Sequence, residues 1–184
     1  MKGRTSGIER KTKETNISVK VDIDGNGKYN VVCNNTFLKH MTETLSRYSS
    51  ADITMKAEGD DEHHLIEDAG ITLGMAFRDA VGKGPIERMA TKTVVMDDAM
   101  VTVSLDIVDR PYAEIDCPDA VYHHFFRSFA MSFGITLHIL VIRGFDDHHI
   151  VEASFKALGR CLKEAVKKRD AELSTKDKAS VKGV

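Results

Sequence analysis

The chain has 184 residues, 42% hydrophobic and 29% charged, enough to bury a core beneath a solvated surface. Its 26 basic and 28 acidic residues give a formal net charge of −2 and are interspersed along the chain, which argues against a nucleic-acid surface. No apolar run approaches the roughly 20 residues of a membrane span. The N-terminus is too polar for a secretory signal, and Cys33, Cys117 and Cys161 lack disulfide or thiolate-metal spacing, so a cytoplasmic protein with reduced thiols is expected.

Ile17, Val19, Val21 and Ile23 alternate with polar residues as far as Asp24-Gly25-Asn26-Gly27. This predicts a strand closed by a hairpin turn, with Lys28 to Cys33 as its return strand. Thr36 to Tyr48 sets Phe37, Leu38, Met41, Leu45 and Tyr48 at helical spacing, with Thr36 as the cap. Ala51 to Glu58 reads as a strand. Gly59-Asp60-Asp61 offers a turn and a cap for a helix over Glu62 to Val81, which Gly82-Lys83-Gly84-Pro85 ends. A second run follows: a strand over Val101 to Ile107, a break at Arg110-Pro111, and an extension of the sheet over Tyr112 to Asp116. Then come a helix over Pro118 to Phe133, a strand over Ile135 to Arg143 and a helix from Asp147 to about Arg169. Asp170 to Val184 is polar and aperiodic and is expected to be a flexible tail.

The two runs are copies. Ser18 to Asp24 lies over Thr102 to Val108 at a shift of 84, and His63 to Glu67 lies over His148 to Glu152 at a shift of 85, as does Leu73-Gly74 over Leu158-Gly159. An α+β fold is expected, built by internal duplication of a roughly 85-residue strand, strand, helix, strand, helix unit. Neither copy buries much surface alone, so the two must pack together.

Six of the 8 histidines form three adjacent pairs, His63-His64, His123-His124 and His148-His149. In the first and last pairs a glutamate follows at i+4 and i+3, giving His63, His64 and Glu67 beside His148, His149 and Glu152, all near one stretch of helix surface. Adjacent residues diverge by about 100° around a helix axis. The pattern therefore suggests two neighbouring ions, each taking one histidine from each motif. The helix start disfavours imidazolium and keeps the rings able to bind metal, while Asp60, Asp61, Glu62, Asp146 and Asp147 can cap the helices or accept imidazole N–H groups. One such motif reads equally well as surface or capping histidines; its repetition at matched positions favours metal. His40, on a helix, and His138, in an apolar strand, are open between a core role and a ligand role. His123 and His124 read as ordinary structural histidines. Imidazole and carboxylate without thiolate suit Mn, Fe, Zn, Co or Ni.

Several segments then fall into one order along the chain: Arg10-Lys11-Thr12-Lys13-Glu14-Thr15, Asp24 to Gly27, Thr36 to Met41, His63 to Gly74, Arg88, Asp106 to Tyr112, Phe125 to Ala130, Thr136 to Ile139 and Gly144 to Ala157. Together they resemble the imidazoleglycerol-phosphate dehydratase family of histidine biosynthesis. The resemblance implies helices packed between two four-stranded sheets, with halves like a ribosomal-protein domain. It implies a single dehydratase domain over 1–184 made of two repeats, about 1–90 and 91–170, with the tail 171–184 flexible. It further implies an assembly of 24 subunits with sites where subunits meet and two Mn2+ ions per site. The implied reaction is loss of water from imidazole glycerol phosphate to give imidazole acetol phosphate, by way of an imidazolate and a diazafulvene. The implied ligands are His40, His63, His64, Glu67, His138, His148, His149 and Glu152, with Glu14 as acid/base. Arg88 and Arg110 would hold the substrate phosphate, aided by Ser180 and Lys182 of the tail, for which Ser174 to Asp177 is the other version. The chain departs from the family pattern at Lys39, where many members have Asp, and at Val108-Asp109, where Ser-Gly is usual. Two other readings use the same motifs: a non-catalytic metal-binding assembly, which needs no Glu14, Arg88 or Arg110, and a dinuclear metallohydrolase, whose usual Asp-rich ligand sets are missing.

Overall fold

A computed structural model describes residues 3–171 and 173; Ser180, Lys182 and nearly all of the expected tail lie outside the described residues. Strand β1 (Thr5–Lys11) pairs antiparallel with β2 (Thr15–Asp22), whose Ile17, Val19 and Val21 point inward and are at most 2% exposed. Strand β3 (Tyr29–Cys33) is not the return arm of a hairpin. Both edges of β2 are occupied, one by β1 and the other by β4 (Asp52–Gly59), and β3 runs parallel to β4 on its far side. The turn before β3 explains the difference. Its Asn26 and Lys28 N–H groups donate to the Asp52 carboxylate, each at 2.8 Å, and Gly27, at φ 74°, donates to the Ser50 carbonyl at 2.9 Å. The turn is thereby fastened to the start of β4 and not closed on β2.

Helix α1 (Thr36–Ser49) crosses from β3 to β4, capped by Asn35, one residue earlier than expected; its side chain accepts from Leu38 N–H at 2.7 Å. Helix α2 (Glu62–Val81) takes the bounds that the sequence predicts. The second half repeats the order with β5 (Met89–Met96), β6 (Ala99–Ile107), β7 (Tyr112–Ile115), α3 (Ala120–Phe133), β8 (Ile135–Arg143) and α4 (Asp147–Ala165). The two sheets read β1-β2-β4-β3 and β5-β6-β8-β7, the same topology twice. Each repeat therefore has one strand more than its apolar pattern reveals. The extra strands, β1 and β5, lie at sheet edges, and their side chains alternate between exposed and half-buried, with Ala90 alone buried. The last helix stops at Ala165 because the following segment leaves to meet the chain after Pro85, where Ile86 bridges Lys168 and Arg169 N–H donates to the Pro85 carbonyl at 3.0 Å.

The four helices among the described residues lie between the sheets. Helices α1 and α2 rest on the first sheet and α3 and α4 on the second, and the halves meet chiefly where α2 packs on α3 and α1 on α4. Phe77, Phe125, Phe126, Phe129 and Phe155 fill the middle, each at most 1% exposed, with Phe155 4.9 and 4.8 Å from the rings of Phe125 and Phe126. Close approach of the helices depends on missing side chains. A Cβ on Gly74 of α2 would lie 2.5 Å from the Phe129 carbonyl oxygen, one on Gly70 2.6 Å from that of Phe125, and one on Gly159 of α4 2.8 Å from Tyr48 Cβ.

Gly74→Ala is expected to destabilise the fold by about 1–3 kcal/mol, because the methyl group meets backbone that cannot yield locally. Thermal unfolding checks this, and a melting temperature equal to that of the parent would refute it. The turn gives a second expectation. Accepting the Lys28 and Asn26 N–H groups holds the Asp52 carboxyl below its usual pKa, so its contribution to stability is present above the ordinary carboxyl pKa and lost as pH falls through the depressed one. The melting-temperature gap between the parent and Asp52→Asn should thus be widest above about pH 5 and close below about pH 4.

Candidate functional site

Asp61 caps α2 by accepting from the N–H groups of His63 at 2.8 Å and His64 at 3.3 Å, so both histidines stand in the first turn. His63 and Glu67 lie one turn apart, Nε2 to Oε2 3.7 Å. Packing of α2 on α3 then brings His124 against them, its Nδ1 2.9 Å from His63 Nε2. The three ligand atoms of His63, Glu67 and His124 all lie within 4.8 Å of one another. Glu67 also accepts from Ser128 Oγ at 3.2 Å, which turns its carboxylate toward α3.

The other helix pair repeats this arrangement. His148 and His40 each place Nε2 3.5 Å from Glu152 Oε2. Phe37 stacks on His148 with ring centroids 4.5 Å apart. Glu152 is buried, 6% exposed, which opposes its ionisation. Lys156, with Nζ 2.9 Å from Oε1, and to a lesser degree His40 outweigh that effect and hold the carboxyl below its ordinary pKa. Each cluster thus takes a histidine and the glutamate from one repeat and a histidine from the other.

The second histidine of each motif turns away, as adjacency on a helix requires. The rings of His63 and His64 are 6.2 Å apart and those of His148 and His149 6.0 Å. His64 Nδ1 is 3.6 Å from Glu14 Oε2 and 3.8 Å from Asp60 Oδ1. The backbone of Glu14 is held firmly: Asp68 accepts from Thr15 Oγ1 and pairs with Arg10, both at 2.5 Å, and the Glu14 carbonyl accepts from Asp60 N–H at 3.1 Å. Its side chain remains half exposed. His149 Nδ1 lies 2.5 Å from Asp98 Oδ1. The hydrogen bond from His149, with those from the Phe145 and Asp146 N–H groups, lowers the Asp98 carboxyl to about 2, and Asp98 in turn raises His149.

Two histidines change places relative to the sequence reading. His138 is not brought to either cluster: Leu137 and Ile139 of β8 bury inward, so the alternation of the strand turns His138 to the outer face of the sheet, 5.6 Å from the Tyr112 ring. His124, read as an ordinary structural residue, stands beside His63. The duplication carries the signal that finds it, since His124 follows His40 by 84 residues, the shift that relates the two halves.

The expected phosphate ligands are apart from the clusters among the contacts described. Arg88, at φ 68°, pairs through Nε with Asp106 at 2.7 Å and lines a cleft of about 680 Å³ with Arg78, Lys83 and Asp109. Arg110 is exposed beyond the end of β6, where its carbonyl accepts from Thr136 Oγ1. No described helix is long and apolar enough to cross a membrane.

The family model for imidazoleglycerol-phosphate dehydratase matches residues 33–162. The chain is 44% identical over 178 residues to the imidazoleglycerol-phosphate dehydratase of Caldanaerobacter subterraneus subsp. tengcongensis, covering 89% of this chain and 92% of that one. It is likewise 44% identical to that of Cereibacter sphaeroides, over 177 residues covering 89% and 91%. Among solved structures, that of IGPD from Pyrococcus furiosus superposes with a TM-score of 0.83 at 37% identity, covering 91% of this chain and 98% of that one. The enzyme from Staphylococcus aureus superposes with a TM-score of 0.80 at 27% identity, covering 90% and 99%. The chain, with its repeated fold and paired histidine clusters, belongs to the imidazoleglycerol-phosphate dehydratase family, whose members are hydro-lyases of histidine biosynthesis.

Proposed function

We propose that this chain, acting as one domain of two repeats, removes water from D-erythro-imidazole glycerol phosphate to give imidazole acetol phosphate, with two Mn2+ ions per site. The observation that carries the metal reading is the recurrence of one cluster on both helix pairs: His63, Glu67 and His124, then His148, Glu152 and His40. The donor set fits. His63 Nε2 lies 2.9 Å from His124 Nδ1 and 3.7 Å from Glu67 Oε2, with the ligand atoms of all three residues within 4.8 Å of one another, and Glu152 Oε2 lies 3.5 Å from both His40 and His148, so each group would be able to hold one ion. Imidazole and carboxylate suit Mn2+.

The ligands in this reading are His40, His63, His64, Glu67, His124, His148, His149 and Glu152, with His124 in the place that the resemblance gave to His138. His64 and His149 face away from the clusters of their own chain, which supports completion of each site by a neighbouring subunit and hence an assembly such as a 24-mer. The unpaired Cys33, Cys117 and Cys161 suit the cytoplasm.

When bound, the ions supply the charge that stabilises the imidazole ring of the substrate as it gains electron density. The residues of the chain do the rest. The reaction removes the C2 hydrogen and the C3 hydroxyl as water and leaves an enol, which becomes the ketone. The fixed backbone of Glu14 and its half-exposed carboxylate beside His64 support its carrying a proton in that exchange. Arg88 and Arg110 would hold the phosphate, with Ser180 and Lys182 closing over it; a planar guanidinium suits phosphate oxygens.

Purified protein supplied with Mn2+ is expected to convert imidazole glycerol phosphate to an enolisable ketone. A folded, metal-loaded protein without turnover overturns the dehydratase reading in favour of a metal-binding assembly. Glu14→Gln should lower kcat by about 10²- to 10⁴-fold with metal content unchanged, and a loss of less than tenfold removes Glu14 from the proposed role. His124→Ala should reduce the bound metal per chain whereas His138→Ala should not, and elemental analysis of both variants decides between them.

A further inference from the structure

Glu14 and Asp98 occupy the same place in the two repeats. Glu14 lies in the turn between β1 and β2, Asp98 in the turn between β5 and β6, 84 residues later, and each faces the second histidine of the motif in its own half. Beyond that the two differ. The Glu14 carboxylate is half exposed and 3.6 Å from His64 Nδ1. The Asp98 side chain is shorter by one methylene, and both of its oxygens are engaged. Oδ1 is 2.5 Å from His149 Nδ1, and Oδ2 accepts from the N–H groups of Phe145 at 2.5 Å and Asp146 at 3.2 Å, in the approach to α4. The carboxylate is thus clamped between the edge hairpin of one sheet and the helix start that carries His148 and His149.

We propose that Asp98 is a positioning residue for His149, accepting its Nδ1–H so that the ring plane is fixed and Nε2 is presented to a divalent cation. An ionised carboxylate has no proton to donate, so Nδ1 must carry the hydrogen, and the neutral ring then has its lone pair on Nε2. That nitrogen lies 3.4 Å from Asp97 Oδ2, in surroundings whose charge suits a cation. The inference rests on the metal-centre reading above. It adds a division of labour between duplicated turns: the carboxylate of the first is free to move a proton, and that of the second holds a ligand still.

Asp98→Asn tests this directly. The asparagine oxygen can still accept from the Phe145 and Asp146 N–H groups, but its amide then directs N–H groups at Nδ1 and favours the tautomer protonated on Nε2. The dissociation constant for Mn2+, measured by chelator competition on the assembled protein, should rise about 10- to 100-fold, with little change in the melting temperature of the metal-free protein. Asp98→Glu, which restores an anionic acceptor, should recover most of that affinity. Asp98→Asn that binds Mn2+ as tightly as the parent overturns the proposal. A parent protein that does not bind Mn2+ is a different outcome and overturns the metal reading itself. Should Asp98→Asn fail to fold, the 15N spectrum of histidine-labelled, metal-free parent protein at pH 9 decides: His149 protonated on Nδ1 is expected, and protonation on Nε2 alone refutes the assignment.

Discussion

The close crossing of helices at Gly70, Gly74 and Gly159 is the constraint on which the rest depends. At each of these positions a single added carbon would meet backbone or the Tyr48 side chain at 2.5 to 2.8 Å, so the helix axes are as near as they are only because nothing stands between them. Nearness at the crossing sets the reach at the helix ends. His63 and His124 belong to different helices and different repeats, yet their ring nitrogens are 2.9 Å apart, a separation that any outward shift of α3 would lengthen. The phenylalanines behind the crossing give that geometry its stiffness, since Phe77, Phe125, Phe129 and Phe155 leave no room for the helices to slide.

The two clusters are alike in residue type and unlike in what surrounds them. Glu67 is steadied by a neutral hydroxyl, Ser128, whereas the more deeply buried Glu152 is countered by the Lys156 ammonium. A carboxylate so enclosed would be costly to ionise without a cation near it, and Lys156 provides one. Duplication has kept the histidines and glutamates and let their supports diverge, as it has with Glu14 and Asp98.

Much of this was legible in the chain because the informative features are local. Helix α2 and strand β8 follow from apolar spacing with their bounds intact, since Asp61 and Gly82 delimit the one and alternation from Ile135 to Ile139 defines the other. The motifs around His63 and His148 announce themselves by repetition. What escaped was set by distant partners. The turn at Asp24 to Gly27 has the composition of a hairpin, but Asp52, 26 residues from Asn26, takes its N–H groups and sends β3 elsewhere. Strands β1 and β5 have edge faces that burial hardly patterns. His124 lacks a neighbouring glutamate at motif spacing, so only a comparison with His40 across the duplication singles it out; His138 sits in an apolar run that conceals which face is outside.

That each cluster draws on both repeats has a consequence for how such a chain can arise. A molecule consisting of one repeat could not assemble either cluster within itself; it would need a second molecule to lend the helix bearing the third donor. Joining two copies end to end makes that meeting intramolecular, replacing a dependence on protein concentration by a tether of fixed length. Once joined, the copies are no longer interchangeable, and each is free to lose what the other retains. The chain is in this sense a permanently tethered dimer, with one member keeping a loose carboxylate and the other a clamped one.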